Sequence, residues 1–578
     1  MIHRLTLRNF KSVGEQTYDF TQFDLLIGRN NSGKSTVLQA LAIWQFCVDE
    51  FHRAKRGGST GIQVVLPNFT ALPVPEFNLL WKDRTDRRYP QQGGKTKQEF
   101  ILISIELEWR GPDGVVNAFG VELRYHSPQT IYAIPKGGWA HFRECEGRGD
   151  LPRIAYVPPF SGLEPAEKWL DVAPRRQQVG KGQPGSVLRN LLLQVCPNPS
   201  TGSDGRVPRG YDPPEDWKEL ARMVRQWFSV EILQPRYDSN KDVFIQVDYR
   251  QNGKEYDIIA GGSGFHQTLT LLAFLYGYQP TTILLDEPDA HLHVNLQREI
   301  LDYFKRKSLA RHTQFLIATH AEEFVKGVDA SQIVSLLSQV PKRIPATTAV
   351  LHAMSDVSNE EMAQLRESPF LVYVEGDSDE RLLRAWAEAT GASEAMAKVR
   401  FKAMGGGSKH EMKSRAEAHF TALRQIEPSA CRLVLFDFDS NDKAFHPPAD
   451  NKNLVEWGRK NIENYLLVPD AWKRAAQQAL GALLAVPALR EIDAYFAEQN
   501  LTLPAGKTWR DVNANIFKVL DGKRILFEDE DSLFRRLRSG SPSIELIRET
   551  VAMNMATDEL HEDVHQFMSK LKAMTNTR

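Results

Sequence analysis

Three groups of residues in this chain have types and spacings that could do chemistry. The first is Gly28-Arg29-Asn30-Asn31-Ser32-Gly33-Lys34-Ser35, which fits the pattern GxxxxGK[ST]. A loop of this spacing wraps a phosphate in consecutive backbone N–H groups, and its glycines keep side chains out of the way. Lys34 can reach the β- and γ-phosphates and the Ser35 hydroxyl can ligate Mg²⁺. Gly28, Asn30, Asn31, Gly33 and Thr36 complete the expected contacts. The second group is Ile283-Leu284-Leu285-Asp286-Glu287-Pro288, an apolar run that sets Asp286 at a strand's C-terminal end, where it can hold the Mg²⁺ shell, with Glu287 beside it to polarise a water.

The third group lies in the second half. Leu371-Val372-Tyr373-Val374-Glu375-Gly376-Asp377-Ser378-Asp379 ends an apolar strand in acid, and Leu433-Val434-Leu435-Phe436-Asp437-Phe438-Asp439 does so again. In an extended chain Asp437 and Asp439 point to the same side. Two such strands in one parallel sheet bring three or four carboxylates to its C-terminal edge. Such a cluster is costly without a counter-charge, and hard cations relieve it. Mg²⁺ or Mn²⁺ there would activate water for in-line displacement at phosphorus.

The elements that must position these groups follow from apolar periodicity. Strands are predicted over 2–7 and 23–27 and a helix over 34–46, with the phosphate loop between. Residues 53–97 read as surface loops. Alternating runs over 99–109 and 115–125 predict a hairpin closed by Gly111-Pro112-Asp113-Gly114. Residues 174–214 read as loop broken by one helix near 186–195, and 216–228 is an amphipathic helix. Unbroken apolar strands at 282–285, 314–318, 370–374 and 432–436 suit parallel sheets. Beyond about residue 470 the chain reads as helical and charged.

Composition bounds the class. The chain has 578 residues, 42% of them hydrophobic and 25% charged, which excludes wholesale disorder. At about 150 residues per domain the length makes about four domain-sized units, and large folds that absorb several of them make two or three domains. Lys+Arg 72 against Asp+Glu 73 leaves a net charge of -1, so any nucleic-acid contact must come from local basic patches. Cys47, Cys145, Cys196 and Cys431 form no CxxC pair, which excludes a disulfide scaffold or zinc finger and fits a reducing compartment. With no signal core and no run long enough to span a bilayer, a soluble cytoplasmic protein with no membrane partner is expected.

The motifs carry a resemblance. Ser263-Gly264-Phe265-His266-Gln267 ahead of a helix resembles the signature of ABC-type ATPases, Asp289-Ala290-His291-Leu292-His293 their D-loop region, and Ala318-Thr319-His320 their switch histidine. That resemblance implies ATP and Mg²⁺ as cofactors. It makes Glu287 and His320 catalytic, and has Ser263, Gly264 and Gln267 complete the nucleotide site of another subunit, hence a homodimer or higher homo-oligomer through the ATPase domains. The Q-loop glutamine has no clear place in 60–110. The wording of the first strand and of DEPDAHLH resembles soluble SMC-like, RecF-like and OLD-family ATPases, and the long heptad arms of a true SMC protein are missing. Glu375 followed by Asp437 and Asp439, with Met404-Gly405-Gly406-Gly407 between, looks like a Toprim domain, and an ABC ATPase joined to a C-terminal Toprim is the arrangement of OLD-family nucleases.

What the resemblance implies is an α/β chain. Residues 1–345 form an ABC-type P-loop ATPase domain with a helical and loop insertion at about 166–257. Residues 346–368 form a linker, and 369–578 a Toprim domain, a Rossmann-like parallel sheet with a helical extension. Asp379 stands where OLD-type sites place a further acid. Glu463, in Ile462-Glu463-Asn464-Tyr465-Leu466-Leu467, resembles a ligand of Toprim relatives in defence proteins, and Lys523 a transition-state cation. The implied activity is an ATP-gated, Mg- or Mn-dependent endonuclease acting on DNA, RNA or tRNA in antiphage defence, similar to PARIS-like and retron-associated relatives. A defence partner protein or a phage-derived trigger goes with it. Two basic clusters (Arg53, Lys55, Arg56; and Arg84, Arg87, Arg88 with Trp81 and Tyr89) read first as a solvated loop face and second as phosphate-backbone contacts, and Arg459 and Lys460 are placed to guide a substrate. Two other readings stay open: a nucleotide-driven scaffold that holds a partner, and a repair ATPase that loads on DNA ends.

Overall fold

A computed structural model describes residues 1–28, 30–54, 61–92, 95–96, 98–111, 113–197, 212–338, 340–344, 347, 368–438 and 451–576. The chain divides into two compact units, Met1–Leu351 and His352–Arg578.

The first unit is built on two six-stranded sheets. One is antiparallel, in the spatial order Val13–Asp19, Ile2–Phe10, Ile103–Arg110, Val116–Ser127, Thr130–Pro135, Ile62–Val65. The expected hairpin is there, pairing Ile103–Arg110 with Val116–Ser127. The strand Val13–Asp19 was not foreseen: its sequence VGEQTYD is polar on an edge, with Val13 and Tyr18 alone buried. Residues 53–97 are not merely surface loop, since Ile62–Val65 joins the sheet and Phe77, Leu80 and Trp81 are fully buried. Trp81 donates its indole N–H to Ile101 O at 2.6 Å, so it belongs to the core and not to a basic surface. Arg87 and Arg88 are paired with Asp86 and Glu99.

The other sheet runs Ile154–Val157, Thr282–Asp286, Gln314–Thr319, Phe23–Ile27, Ile333–Ser335, Lys342–Arg343, parallel except for the last pair. Strands buried on both faces read as continuous apolar runs, and LLI, ILL and FLIA are that. The helix Lys34–Arg53 packs its Trp44 edge-on against Trp109 and Phe119, joining both sheets in one core. Gln314 ties the two sheets where its strand begins, accepting from Ile2 N and donating to Ile2 O. The expected insertion contains helices Val172–Gly180, Leu188–Val195 and Glu215–Phe228 and a small three-stranded antiparallel sheet.

The second unit holds a four-stranded parallel sheet ordered Val399–Ala403, Phe370–Val374, Cys431–Phe436, Leu454–Glu456. The helical segment after residue 470 is no charged tail. Trp472, Ile492, Tyr495, Leu526 and Phe567 share one buried cluster with Val372, Leu433 and Leu435 of the sheet. Among the described residues no helix is long and apolar enough to cross a membrane.

Candidate functional site

In the first unit the phosphate loop leaves strand Phe23–Ile27 and enters helix Lys34–Arg53 through Gly33, whose φ of 94° is left-handed and suits glycine. Around it lies a cavity of about 590 Å³ lined by Asn30, Asn31, Gly33, Lys34, Ser35 and Thr36, with Lys11, Ser12, Gln39 and Glu287. Lys34 donates to Gly28 O at 2.8 Å, and its ammonium is held below the usual lysine range by burial. Ser35 donates to Asp286 Oδ1 at 3.0 Å, so the two predicted halves of the site meet across the sheet. Asp286 is 3% exposed, and burial raises its carboxyl against the pull of that bond. Glu287 sits at φ 51° with its carboxylate 3.6 Å from His320 Nδ1. Its backbone N–H donates to Ala318 O at 2.9 Å, which locks the turn after the acid strand.

Ser263 and Gly264 open the helix Ser263–Tyr278, with Ser263 exposed. A Cβ on Gly264 would lie 2.9 Å from His291 O. Gln267 is buried and donates to Pro288 O at 3.3 Å, so its side chain braces the segment after Asp286 and is not open to a ligand. Asp289, also buried, accepts from Thr319 Oγ1 at 2.6 Å.

Three residues of this site escaped the sequence reading. Lys11 donates to Gln39 in the phosphate cavity, and burial lowers its ammonium. Tyr156 donates its hydroxyl to Asp286 Oδ2 at 3.0 Å and bonds Gln39; burial, then the Asp286 charge, push the phenol well above its usual value. The strands beside Thr282–Asp286 are Ile154–Val157 and Gln314–Thr319. Gln39, on the phosphate-loop helix, also lines the cavity.

In the second unit four acids gather past the sheet's C-terminal edge. Glu375 Oε1 accepts from the backbone N–H of Asp437 at 2.9 Å, joining the ends of two neighbouring strands. Asp379, 6% exposed, accepts from the N–H groups of Glu375 and Gly376 at 3.1 and 3.3 Å. Its carboxyl is pushed up to about 6, by burial and by the charges of Glu463 and Glu375. Asp437 is raised well above the carboxylate range, first by burial and then by Glu375, Asp379 and Glu463, although it accepts from Ile462 N–H. Asp439 lies outside the described residues. Glu463, 2% exposed in the short helix Ile462–Leu466, is held by Arg548 at 3.0 Å, a partner the sequence did not reveal. Lys523 is exposed, 3.4 Å from Glu528, and Glu528 in turn lies 3.8 Å from Arg548. Arg459 does not face a substrate: it is 3% exposed, donates to Asn464 O and lies between the rings of Tyr465 and Phe517. Lys460 is paired with Asp521 at 3.1 Å. Among the described residues no three His, Cys, Asp or Glu side chains stand as a ready metal-ligand group. The donors present are all oxygen, of the kind hard cations take.

Comparison with known proteins bears on the first unit. Residues 218–325 match a family described as "AAA domain, putative AbiEii toxin, Type IV TA system", and residues 1–55 match a family described as "AAA ATPase domain". The matched stretches hold the phosphate loop, Asp286, Glu287 and His320, and with the site geometry they mark an ATPase domain similar to the AAA type. Among solved structures, an SMC head domain from Thermotoga maritima is 16% identical, with a TM-score of 0.30 over 60% of this chain and 98% of that one. An SMC head with an extended coiled coil, bound to the C-terminal domain of ScpA and derived from Pyrococcus furiosus, is 14% identical, with a TM-score of 0.32 over 60% of this chain and 96% of that one. No curated protein matches the chain.

Proposed function

We propose that this chain is an ATP-gated, metal-dependent endonuclease of the OLD type. Residues 1–345 would form the ATPase domain, 346–368 the linker and 369–578 a Toprim nuclease domain. The observation that carries the reading is the gathering of Glu375, Asp379, Asp437 and Glu463 past the ends of two parallel strands, with the Asp437 carboxyl raised first by its burial and then by the other three. A protein keeps such a cluster where a cation is to be held. Glu375, Asp437 and Asp439 would hold Mg²⁺ or Mn²⁺, with Asp379 and Glu463 completing the acid set. The ion, when bound, would supply an activated water and charge stabilisation at phosphorus. The rest falls to the chain. Glu375 spans two strand ends, Asp379 fixes the turn Glu375–Gly376 by accepting its N–H groups, and Arg548 orients Glu463. Lys523 is the cation offered to the transition state.

In the first unit, Lys34 and the loop amides would take the phosphates and Ser35 and Asp286 the Mg²⁺ of ATP. Glu287, paired with His320, would activate water. Ser263 and Gly264, open at a helix start, would meet the nucleotide of a second copy. The toxin named in the description of one matched family accords with a role in genome protection, with a defence partner or phage component as trigger.

The test incubates the full chain and the Asp437→Ala, Asp439→Ala double variant with plasmid DNA and total tRNA, in Mg²⁺ or Mn²⁺, with and without ATP. Cleavage by wild type alone is expected. Cleavage by both proteins sinks the proposed site. A reading in which the acids serve structure alone draws on the Arg548–Glu463 pair, and it predicts that neither protein cuts while the double variant melts at a different temperature.

A further inference from the structure

Farther along the phosphate-loop helix lies a second cavity, of about 240 Å³. It is enclosed by helix Lys34–Arg53, strand Ile154–Val157, helix Val172–Gly180 and the end of helix Ser263–Tyr278. Phe46, Ile154 and Phe274 give it apolar walls, while Arg53, Arg153 and Arg176 bring three guanidinium groups. Two of these charges are answered within the lining: Arg53 pairs with Glu50, and Arg176 with Asp49 at 2.5 Å. Arg153 is exposed at the mouth of the cavity and, among the described residues, stands in no ion pair. The lining thus carries one uncompensated positive charge beside apolar surface, which is the make-up of a ligand pocket: mostly hydrophobic walls with a few placed polar groups.

We propose that this cavity binds a small, flat apolar monoanion, its ring against Phe46, Ile154 and Phe274 and its anionic group on Arg153. The same cavity reaches the nucleotide site through one bond, and a second ties its strand to the phosphate-loop helix. Tyr156 lines it and donates its hydroxyl to Asp286, and Gln45 lines it and accepts from the backbone N–H of Ile154 at 2.8 Å. A ligand seated between this strand and this helix acts on the elements that hold Asp286 and Lys34. Its binding and that of Mg-ATP are therefore linked, and the factor is the same in both directions. The binding itself is independent of the nuclease reading, and the linkage rests only on the ATPase site.

The experiment titrates the full chain with 2-naphthoate by calorimetry, using 2-naphthamide (the same ring without charge) and acetate (the charge without a ring) as controls. Saturable binding of 2-naphthoate is expected, with both controls at least about tenfold weaker, the worth of one charge-assisted contact or of the buried ring. Arg153→Gln should weaken naphthoate about tenfold while Arg153→Lys keeps most of it, and Val179→Trp, filling the cavity from the helix wall, should abolish it. Each variant is first checked for an unchanged circular dichroism spectrum, and if Val179→Trp does not fold the arginine pair decides. No saturable binding, equal binding of the neutral amide, or an affinity untouched by Arg153→Gln overturns the site. Naphthoate affinity that is the same with and without saturating Mg-ATP overturns the linkage.

Discussion

Replacing Tyr156 by phenylalanine removes a single oxygen from the nucleotide site and leaves the ring that fills the space. That oxygen donates to Asp286 Oδ2 at 3.0 Å, while Ser35 holds Oδ1 at the same distance. Asp286 is 3% exposed, so water does not readily replace the lost donor. A hydrogen bond to a charged group is worth ~1.5–3 kcal/mol, and at ~1.4 kcal/mol per tenfold this is a loss of about 10- to 100-fold. The bond already exists without nucleotide, so its removal costs binding only by the part that strengthens when Asp286 takes up the metal, and it need not change during hydrolysis. Tyr156→Phe should therefore weaken Mg-ATP binding, read as the Kd of a fluorescent ATP analogue in Mg²⁺, with the full worth of the bond, about 100-fold, as the upper limit. Turnover at saturating ATP should stay within about threefold of wild type. In EDTA the two proteins should differ less if Asp286 acts through the metal as proposed. An unchanged Kd in Mg²⁺, or a fall in turnover at an unchanged Kd, refutes the role assigned to Tyr156.

Lys34→Ala removes the ammonium that now rests on Gly28 O and should weaken ATP binding about 10- to 100-fold by equilibrium titration, with the melting temperature of the apo protein little changed. Arg548→Ala leaves Glu463, 2% exposed, without its partner. Calorimetry should show a loss of ~3 kcal/mol, or about 6–12 °C for a unit of this size, that the double variant Arg548→Met, Glu463→Gln largely recovers. Glu167, 3% exposed, has a carboxyl pushed up by burial from its ordinary 4.5 to about 7, even with the N–H groups of Arg189 and Asn190 donating to it. Because the folded state holds that proton more tightly than the unfolded one, its contribution to stability falls as pH rises from 4.5 to 7. The fall is ~3 kcal/mol in all, so urea midpoints should decline less steeply over this range in Glu167→Gln than in wild type.

Much of the nucleotide site was legible because its signals are local. The loop glycines, Lys34 and Ser35 are contiguous, and LLDEP carries Asp286 and Glu287 at the end of an apolar run whose type predicts a buried parallel strand. What stayed hidden depends on pairings distant in sequence. Tyr156 matters only because Ile154–Val157 lies beside Thr282–Asp286, and Arg548 because its helix returns to Glu463. Neither neighbourhood leaves a mark in periodicity. Arg459 and Trp81 show the converse error: a charged residue beside acids and an indole beside arginines read as surface, yet each fills a core whose other walls come from elsewhere in the chain. The strand Val13–Asp19 escaped notice because an edge strand with one wet face has too few apolar residues to show alternation.

The central claim is that two chemistries occupy two units of one chain, and the most direct measurement separates them. Wild type, Glu287→Gln and Glu375→Gln are assayed in parallel for phosphate release from ATP and for cleavage of plasmid DNA and tRNA in Mg²⁺ or Mn²⁺. The account predicts that Glu375→Gln hydrolyses ATP at the wild-type rate and cuts neither polymer, while Glu287→Gln loses hydrolysis with its acid cluster intact. Cleavage that survives Glu375→Gln, or ATP hydrolysis that disappears with it, contradicts the account.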